Sequence, residues 1–421
     1  MTCVIVGGGV AGLQAALTCR QYWPDKPVVL IDAEQEIGYF RSLIPQFIGG
    51  KLEEEKLFFW RQGTDSLFIV KTGIRVNSLD RASQSLSLEN GEKIEYERLI
   101  LAHGGRPNMP GILAEQSCKG IFPIRDLTMA RKIREWLKGH SEVVILGGSL
   151  VGVKTAVHLR QVGLGVSMVV RRDHTLLRAL SPQAAQWIDT HLQRMGINLL
   201  FGHTIEEIMV KDGSIQKVKV GNEWMTCDTL LVAAGAIPDA SFLEGSGLLE
   251  NGELVVSSTL QTRDRKIFTA GDAATISTSR GEKINPATWP HAVFQGKLAA
   301  QNLYQSVPTP LNLLTWINCM DLHGLALVIL GPPVAGAEVI TYSRESEGIY
   351  REIFIVDGRI VGGALVGDIS GAGLLHALMI TGEKVNLEDL WFPHKIRCIR
   401  PSNFMKQRSR AFILSQREMS T

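Results

Sequence analysis

The sequence predicts an α/β protein: two doubly wound domains with parallel sheets, followed by a small α+β domain. Short β-branched runs alternate with helical segments over most of the chain. A glycine-punctuated β-α-β unit occurs twice, at 3–32 and again at 142–170. After residue 310 the pattern changes to strands that pair as hairpins. Composition allows this plan: 421 residues with 45% hydrophobic and 20% charged side chains bury two or three cores. The 42 glycines follow no three-residue period, which excludes a collagen-like chain. A formal net charge of +2 lacks the basic excess of a nucleic-acid binder, so no nucleic-acid partner is expected.

The first unit opens with CVIVGGG at 3–9, a buried strand running into a turn; a helix over Gly12–Tyr22 and the strand PVVLID at 27–32 follow. Gly7, Gly9 and Gly12 stand in G-x-G-x-x-G spacing between strand and helix. Gly7 permits the tight turn, Gly9 lets the backbone approach a diphosphate, and Gly12 lets helix and strand pack closely. Val10 and Ala11 begin the helix, whose free N–H groups and positive partial charge suit that diphosphate. Asp32, followed by Ala33, ends the second strand, where a carboxylate accepts hydrogen bonds from an adenosine ribose. These features predict a dinucleotide site without distinguishing FAD from NAD.

Next come the strand ERLILAHGG at 97–105 and a helix over Leu127–Lys138. The second unit reads EVVILGG at 142–148 and GVSMVV at 165–170, with Gly147, Gly148, Ser149, Leu150, Val151 and Gly152 forming its turn and helix start. Ser149 stands where the glycine of closest approach belongs; its side chain crowds a dinucleotide or offers the phosphate a hydroxyl, and the sequence does not choose. The following strand ends without a carboxylate for a ribose diol. Arg171 and Arg172 stand there instead, with Arg178 beyond, and guanidinium groups match a 2′-phosphate, so NADPH is favoured over NADH; a solvated basic turn is the competing reading. A helix over Pro182–Met195 has Ser181 as its N-cap. In the last domain LALVILG at 325–331, EVITYSR at 338–344 and YREIFIVDGRIVGGALVG at 350–367 read as strands, with Asp357-Gly358 a hairpin turn and Gly371–Ile380 a helix.

Four further stretches carry a resemblance: LILAHGGRPNMPG at 99–111, LLVAAGAIPD at 230–239, IFTAGDAA at 267–274 and TWPHAVFQGKLAAQNL at 288–303. In this order they resemble the pyridine nucleotide-disulfide oxidoreductase superfamily, over roughly residues 1–395. The resemblance implies two interleaved Rossmann-like domains: FAD-binding at 1–115 and 239–310, NAD(P)-binding at 116–238, then a C-terminal α+β domain at 311–396 and a basic tail at 397–421. It implies FAD and NAD(P)H as cofactors. Gly271 and Asp272 then meet the FAD ribityl and diphosphate region, Trp289 and Ala292 belong to a helix facing the flavin pyrimidine, and Ala102, His103, Gly104 and Arg106 form a turn near the cofactor. Ala234 and Gly235 lie in the return crossover of the NAD(P) half. Lys154 departs from the family's usual glutamate near the nicotinamide. His103 replaces a threonine or serine and is expected as a packed, hydrogen-bonded loop histidine; His291 is the weaker candidate near the flavin.

Electron transfer through thiols is argued against. The chain has no CxxxxC, and Ser42 stands where the single-cysteine branch has its cysteine, in GYFRSLIPQFIGG at 38–50. Arg41 and Pro45 instead look like the branch of NADH:rubredoxin reductases and nitrite reductase flavin modules. That implies hydride transfer from nicotinamide to flavin and single electrons onward to a small redox protein such as rubredoxin or ferredoxin. Arg41, close to the flavin, is the candidate catalytic residue, with a loop salt bridge as its alternative role. Other readings are an NAD(P)H oxidase, a small-molecule or quinone reductase, and a flavoprotein electron-transfer subunit or redox-sensing module akin to apoptosis-inducing factor. A homodimer and a complex subunit both stay open. The six cysteines at 3, 19, 118, 227, 319 and 398 form no CxxC pair, so reduced thiols and no metal site are expected. No apolar run reaches the ~18 residues of a membrane span, MTCVIVGGG does not read as a signal peptide, and a cytoplasmic location is expected. The cations from Lys395 to Arg417 read as a solvated terminus or as a docking site for an acidic partner.

Overall fold

The computed structural model describes residues 2–61, 63, 68–114, 118–277, 283–311 and 317–385. The basic tail, Lys395 and Cys398 lie outside the described residues. The chain divides into two compact units, 1–316 and 317–421.

In the first unit, a five-stranded parallel sheet has the order Ile267–Thr269, Arg98–Leu101, Cys3–Val6, Val28–Ile31, Ile69–Lys71. Its central strand pairs Val4 with Val29 on one side and Leu99 on the other. Cys3 and Ile5 face the helices Val10–Tyr22 and Trp289–Asn302, while Val4 and Val6 face Val76, Leu86 and Phe242. Both faces are covered, which is why the strand reads as an unbroken apolar run. A Cβ on Gly296 would strike the Ala11 carbonyl oxygen, so the two helices approach at backbone distance there. A second parallel sheet has the order Asn198–Phe201, Gly165–Val170, Glu142–Leu146, Thr229–Val232, Ile121–Pro123. The two sheets are the two Rossmann-like halves, and the first takes strands from both ends of the unit. The short strands Gly105–Pro107 and Ala236–Pro238 pair antiparallel between them.

The helices begin and end close to where the sequence places them. Leu127–Trp136 is capped by Asp126, which accepts from Met129 N. Pro182–Arg194 is capped by Ser181, which accepts from Ala184 N. Two antiparallel three-stranded sheets, 76–95 and 205–226, were not anticipated.

The second unit is a five-stranded antiparallel sheet in the order Ile317–Asp321, Ala326–Leu330, Arg359–Val366, Ile349–Val356, Glu338–Arg344. Asp357 and Gly358 both take positive φ, 52° and 73°, as a two-residue hairpin turn requires. The helix Ala372–Thr381 lays Leu375, Leu378 and Met379 on this sheet. Among the described residues no helix is long and apolar enough to cross a membrane.

Candidate functional site

The first glycine turn opens on a cavity of about 480 Å³. Gly7 holds φ at +110°, and a Cβ there would run into the Ala102 carbonyl oxygen. Around Gly9 no atom lies within 4 Å of where a Cβ would stand, so a ligand can approach the bare backbone. Gly12 does not line the cavity: its missing Cβ makes room for the Gly7 carbonyl oxygen and lets the helix start pack on the turn. Val10 and Ala11, at the helix N-terminus, complete this wall.

Asp32 lies across from the turn. One carboxylate oxygen accepts from Gly8 N, the other from Glu34 N at 2.7 Å. Each oxygen keeps a lone pair free for a ribose hydroxyl. Ala33, Ile74, Val76 and Phe242 extend this end as an apolar wall, and Arg75 pairs with Asp239 at 3.4 Å beside it.

The segment after Leu101 brings Ala102, His103, Gly104 and Arg106 into the lining. His103 packs edge-on against Phe242, ring centroids 4.9 Å apart at 89°. Contrary to expectation it is not hydrogen-bonded: both ring nitrogens are buried without a partner, one flank of the ring being covered by Phe242. Burial lowers its pKa to about 4, so the imidazole is neutral at neutral pH.

Gly271 and Asp272 close the strand Ile267–Thr269; Gly271 N donates to Gln295 Oε1 at 2.7 Å, and Arg125 pairs with Asp272 at 3.5 Å. Arg41 forms an ion pair with Glu34, donates to the Arg125 carbonyl at 3.3 Å and stacks over the Tyr39 ring at 5.0 Å. Tyr39 in turn donates to Glu34 at 2.5 Å. Burial works against the Arg41 charge, but Tyr39, Glu34 and Asp32 more than offset it and hold the cation. Burial also raises Glu34, against the pull of Arg41. Ser42 lines the same cavity. Trp289 and Ala292 complete it, and Trp289 packs on Phe40 at 4.8 Å and Phe59 at 5.1 Å. His291 is buried outside the lining, its Nδ1 2.8 Å from Thr288 Oγ1.

The second turn repeats the first with one difference. Gly147 takes φ +120°, and a Cβ there would lie 2.5 Å from the Ala233 carbonyl oxygen. Gly148 packs against Val170. The Ser149 hydroxyl is turned inward: it donates to Ala233 O at 2.9 Å and accepts from Gly152 N at 3.3 Å, capping its own helix. Leu150 and Val151 begin that helix, and Val151, 38% exposed, reaches the lining of the first cavity. Ala234 and Gly235, the latter at φ +100°, are tied to Asn108 through their carbonyl oxygens. Arg171, Arg172 and Arg178 are exposed after the strand Gly165–Val170 and form no ion pair among the described residues.

All the residues predicted for FAD except Gly12 thus meet at one cavity, whereas of those predicted for NAD(P) only Val151 reaches it. Glu34, Tyr39, Arg125, Asp239 and Phe242 were missed. The acid of DAEQE and the arginine of FPIRD are visible in the sequence, but their partners across the cavity are not. The fit to a dinucleotide is good: bare backbone at Gly9 and a carboxylate with free lone pairs at Asp32 face the same space.

The model of the pyridine nucleotide-disulphide oxidoreductase family matches residues 1–296. The chain belongs to this family. Oxidoreductase activity with FAD and a pyridine nucleotide follows from that membership. A second model, the rubredoxin NAD+ reductase C-terminal domain, matches residues 324–383. The NADH oxidase of Methanocaldococcus jannaschii is 27% identical over 418 residues, covering 93% of each chain. The rubredoxin-NAD(+) reductase of Pseudomonas putida is 25% identical over 362 residues, 82% of this chain and 94% of that one. Among solved structures, the covalent putidaredoxin reductase–putidaredoxin complex contains a chain of the same fold, with a TM-score of 0.87 at 19% identity over 94% of this chain and 98% of that one.

Proposed function

We propose that this chain is an FAD-dependent NAD(P)H oxidoreductase that delivers electrons to a small redox protein of the rubredoxin or ferredoxin kind. The observation that carries the reading is the meeting of the two nucleotide turns: Val151, from the second, lines the cavity on which the first opens. Among the described residues no cysteine lines that cavity, and Ser42 stands where the resemblance places the cysteine of the single-cysteine branch, which supports a route other than a disulfide. When bound, FAD supplies hydride acceptance from the nicotinamide and electron release to the carrier.

The chain's own residues bind and position. Gly7, Gly9, Val10 and Ala11 hold the diphosphate at the helix N-terminus, and Asp32 holds the ribose. Gly271, Asp272 and Arg125 hold the ribityl side, while Trp289, Ala292 and Arg41 border the flavin. Arg41 keeps its charge through Glu34 and places a fixed cation beside the site. Residues 1–115 and 239–310 serve FAD, and 116–238 serve the nicotinamide. The unpaired Arg171, Arg172 and Arg178 favour NADPH over NADH, although the relatives named above act on NADH or NAD(+). A match to the rubredoxin reductase C-terminal domain supports a protein acceptor.

A second reading, oxidation of NAD(P)H by oxygen, is favoured by the NADH oxidase of Methanocaldococcus jannaschii, one of the relatives that span nearly the whole chain. The test compares steady-state turnover on rubredoxin and on ferredoxin with oxygen uptake in the absence of either. A carrier-dependent rate well above oxygen uptake supports the reductase; oxygen uptake as fast as carrier reduction supports the oxidase.

A further inference from the structure

We propose that Arg131 is a positioning residue for hydride transfer: its fork on Glu36 and Glu54 fixes the half of the chain predicted for the nicotinamide against the cavity predicted for FAD. The inference rests on the reductase reading above and deepens it. Arg131 stands within the helix Leu127–Trp136, which is held at both ends. At the C-terminal end Trp136 packs on Phe122, ring centroids 5.8 Å apart, and donates to Thr229 Oγ1 at 3.2 Å, so this end belongs to the second parallel sheet. At the N-terminal end Asp126 lines the cavity, and Leu127 N donates to the Tyr39 hydroxyl at 3.3 Å. Between these ends Arg131 reaches the segment that follows the strand Val28–Ile31 of the first sheet. Its Nε and Nη2 donate to the two oxygens of Glu54, at 3.0 and 2.5 Å, and its Nη1 lies 2.8 Å from Glu36.

The segment 36–54 has two sides. Tyr39, Arg41 and Ser42 line the cavity. Phe47, by contrast, sits under the Arg134 guanidinium at 4.8 Å, and Gly49 backs on the helix Leu150–Gln161, where a Cβ would come within 2.6 Å of His158 Cβ. That second helix brings Val151 to the cavity. One stretch of chain thus borders the space predicted for the flavin and meets two helices of the other half. Apolar packing at Phe47 and Gly49 is non-directional, whereas a bidentate arginine–carboxylate pair fixes direction as well as distance. The hydrogen bonds from Arg131 hold Glu54 below the usual carboxylate range, so the pair is ionised at neutral pH. The three side chains are 32–36% exposed, so the fork adds little to stability. Transfer between two rings, however, is sensitive to displacements of an ångström, and loss of the fork therefore acts on rate before it acts on folding.

The test compares the flavin-loaded full chain with its Arg131→Gln, Arg131→Lys and Glu54→Gln variants in anaerobic stopped-flow, each nucleotide, NADPH and NADH, being raised to saturation. Flavin bleaching gives the limiting rate, and the long-wavelength charge-transfer absorbance of the nicotinamide–flavin pair reports how the rings are placed. Reoxidation of the photoreduced protein by ferricyanide serves as a reaction that needs no nicotinamide. The expected result for Arg131→Gln is a limiting rate about tenfold lower with a weaker charge-transfer band, both partly restored in Arg131→Lys. FAD content, melting temperature, half-saturating nucleotide concentration and ferricyanide reoxidation should stay at wild-type values. Wild-type limiting rates and bands in Arg131→Gln and Glu54→Gln would overturn the proposal, as would a loss of rate matched by equal losses in reoxidation or FAD content. Glu54→Gln, which keeps the shape of the side chain, decides the matter if Arg131→Gln fails to fold. A wild-type flavin that neither nucleotide reduces would instead refute the underlying reading, and the inference with it.

Discussion

At the scale of single residues, the cavity is governed by ions paired across it. Arg41, Glu34 and Tyr39 form one set, and each partner is partly withdrawn from water, so removing one leaves the others uncompensated. Arg41→Ala is expected to destabilise the protein by about 1–3 kcal/mol, less than for a fully buried pair because the side chains keep some solvent contact, and to slow flavin reduction; a melting curve with stopped-flow reduction checks both. His103 sets a pH dependence. Its folded pKa, about 4, lies below the ordinary histidine value, so the unfolded chain takes up a proton first as pH falls. The flavin-free protein should therefore lose stability between about pH 6.5 and 4, each unit of displacement being worth about 1.4 kcal/mol. His103→Phe should flatten that slope in melting curves over this range; an unchanged slope would mean the ring does not titrate as its burial demands.

At the scale of elements, the two glycine turns differ in what an added methyl group would meet. Gly9→Ala finds open space in extended backbone, so flavin-free stability should be unchanged while FAD binding weakens. Gly12→Ala meets the Gly7 carbonyl and should lower both. Ser149→Ala removes the cap of the second nucleotide helix and should cost about 1 kcal/mol, whereas Ser149→Gly frees Gly152 N and should tighten nicotinamide binding, read as a lower KM without a change in FAD content. The elements themselves were legible because local chemistry specifies them: the apolar run before Gly7, the Ser181 cap and the Asp357-Gly358 turn all act within a few residues. The two antiparallel sheets were not, since strands such as Val76–Asp80 alternate weakly and depend on the sheet they cover.

At the scale of the whole molecule, the residues predicted for FAD converge from widely separated stretches; glycine spacing and Asp32 pointed to those of the first turn, and the family resemblance implied the rest. The pairs that tune the site were hidden because their members are distant in sequence: Arg125 meets Asp272, and Arg75 meets Asp239. The half predicted for the nicotinamide was less legible. Ser149 left two roles open, and only the fold shows its hydroxyl turned to Ala233 and Gly152. Family membership joins these pieces into one oxidoreductase.

The central claim is that a nicotinamide bound at the second turn reduces a flavin bound at the first. Anaerobic stopped-flow mixing of the flavin-loaded protein with NADPH and, separately, with NADH tests it most directly. Rapid bleaching of the flavin absorbance is expected with both, faster at low concentration with NADPH. A flavin that stays oxidised with either nucleotide would contradict the account.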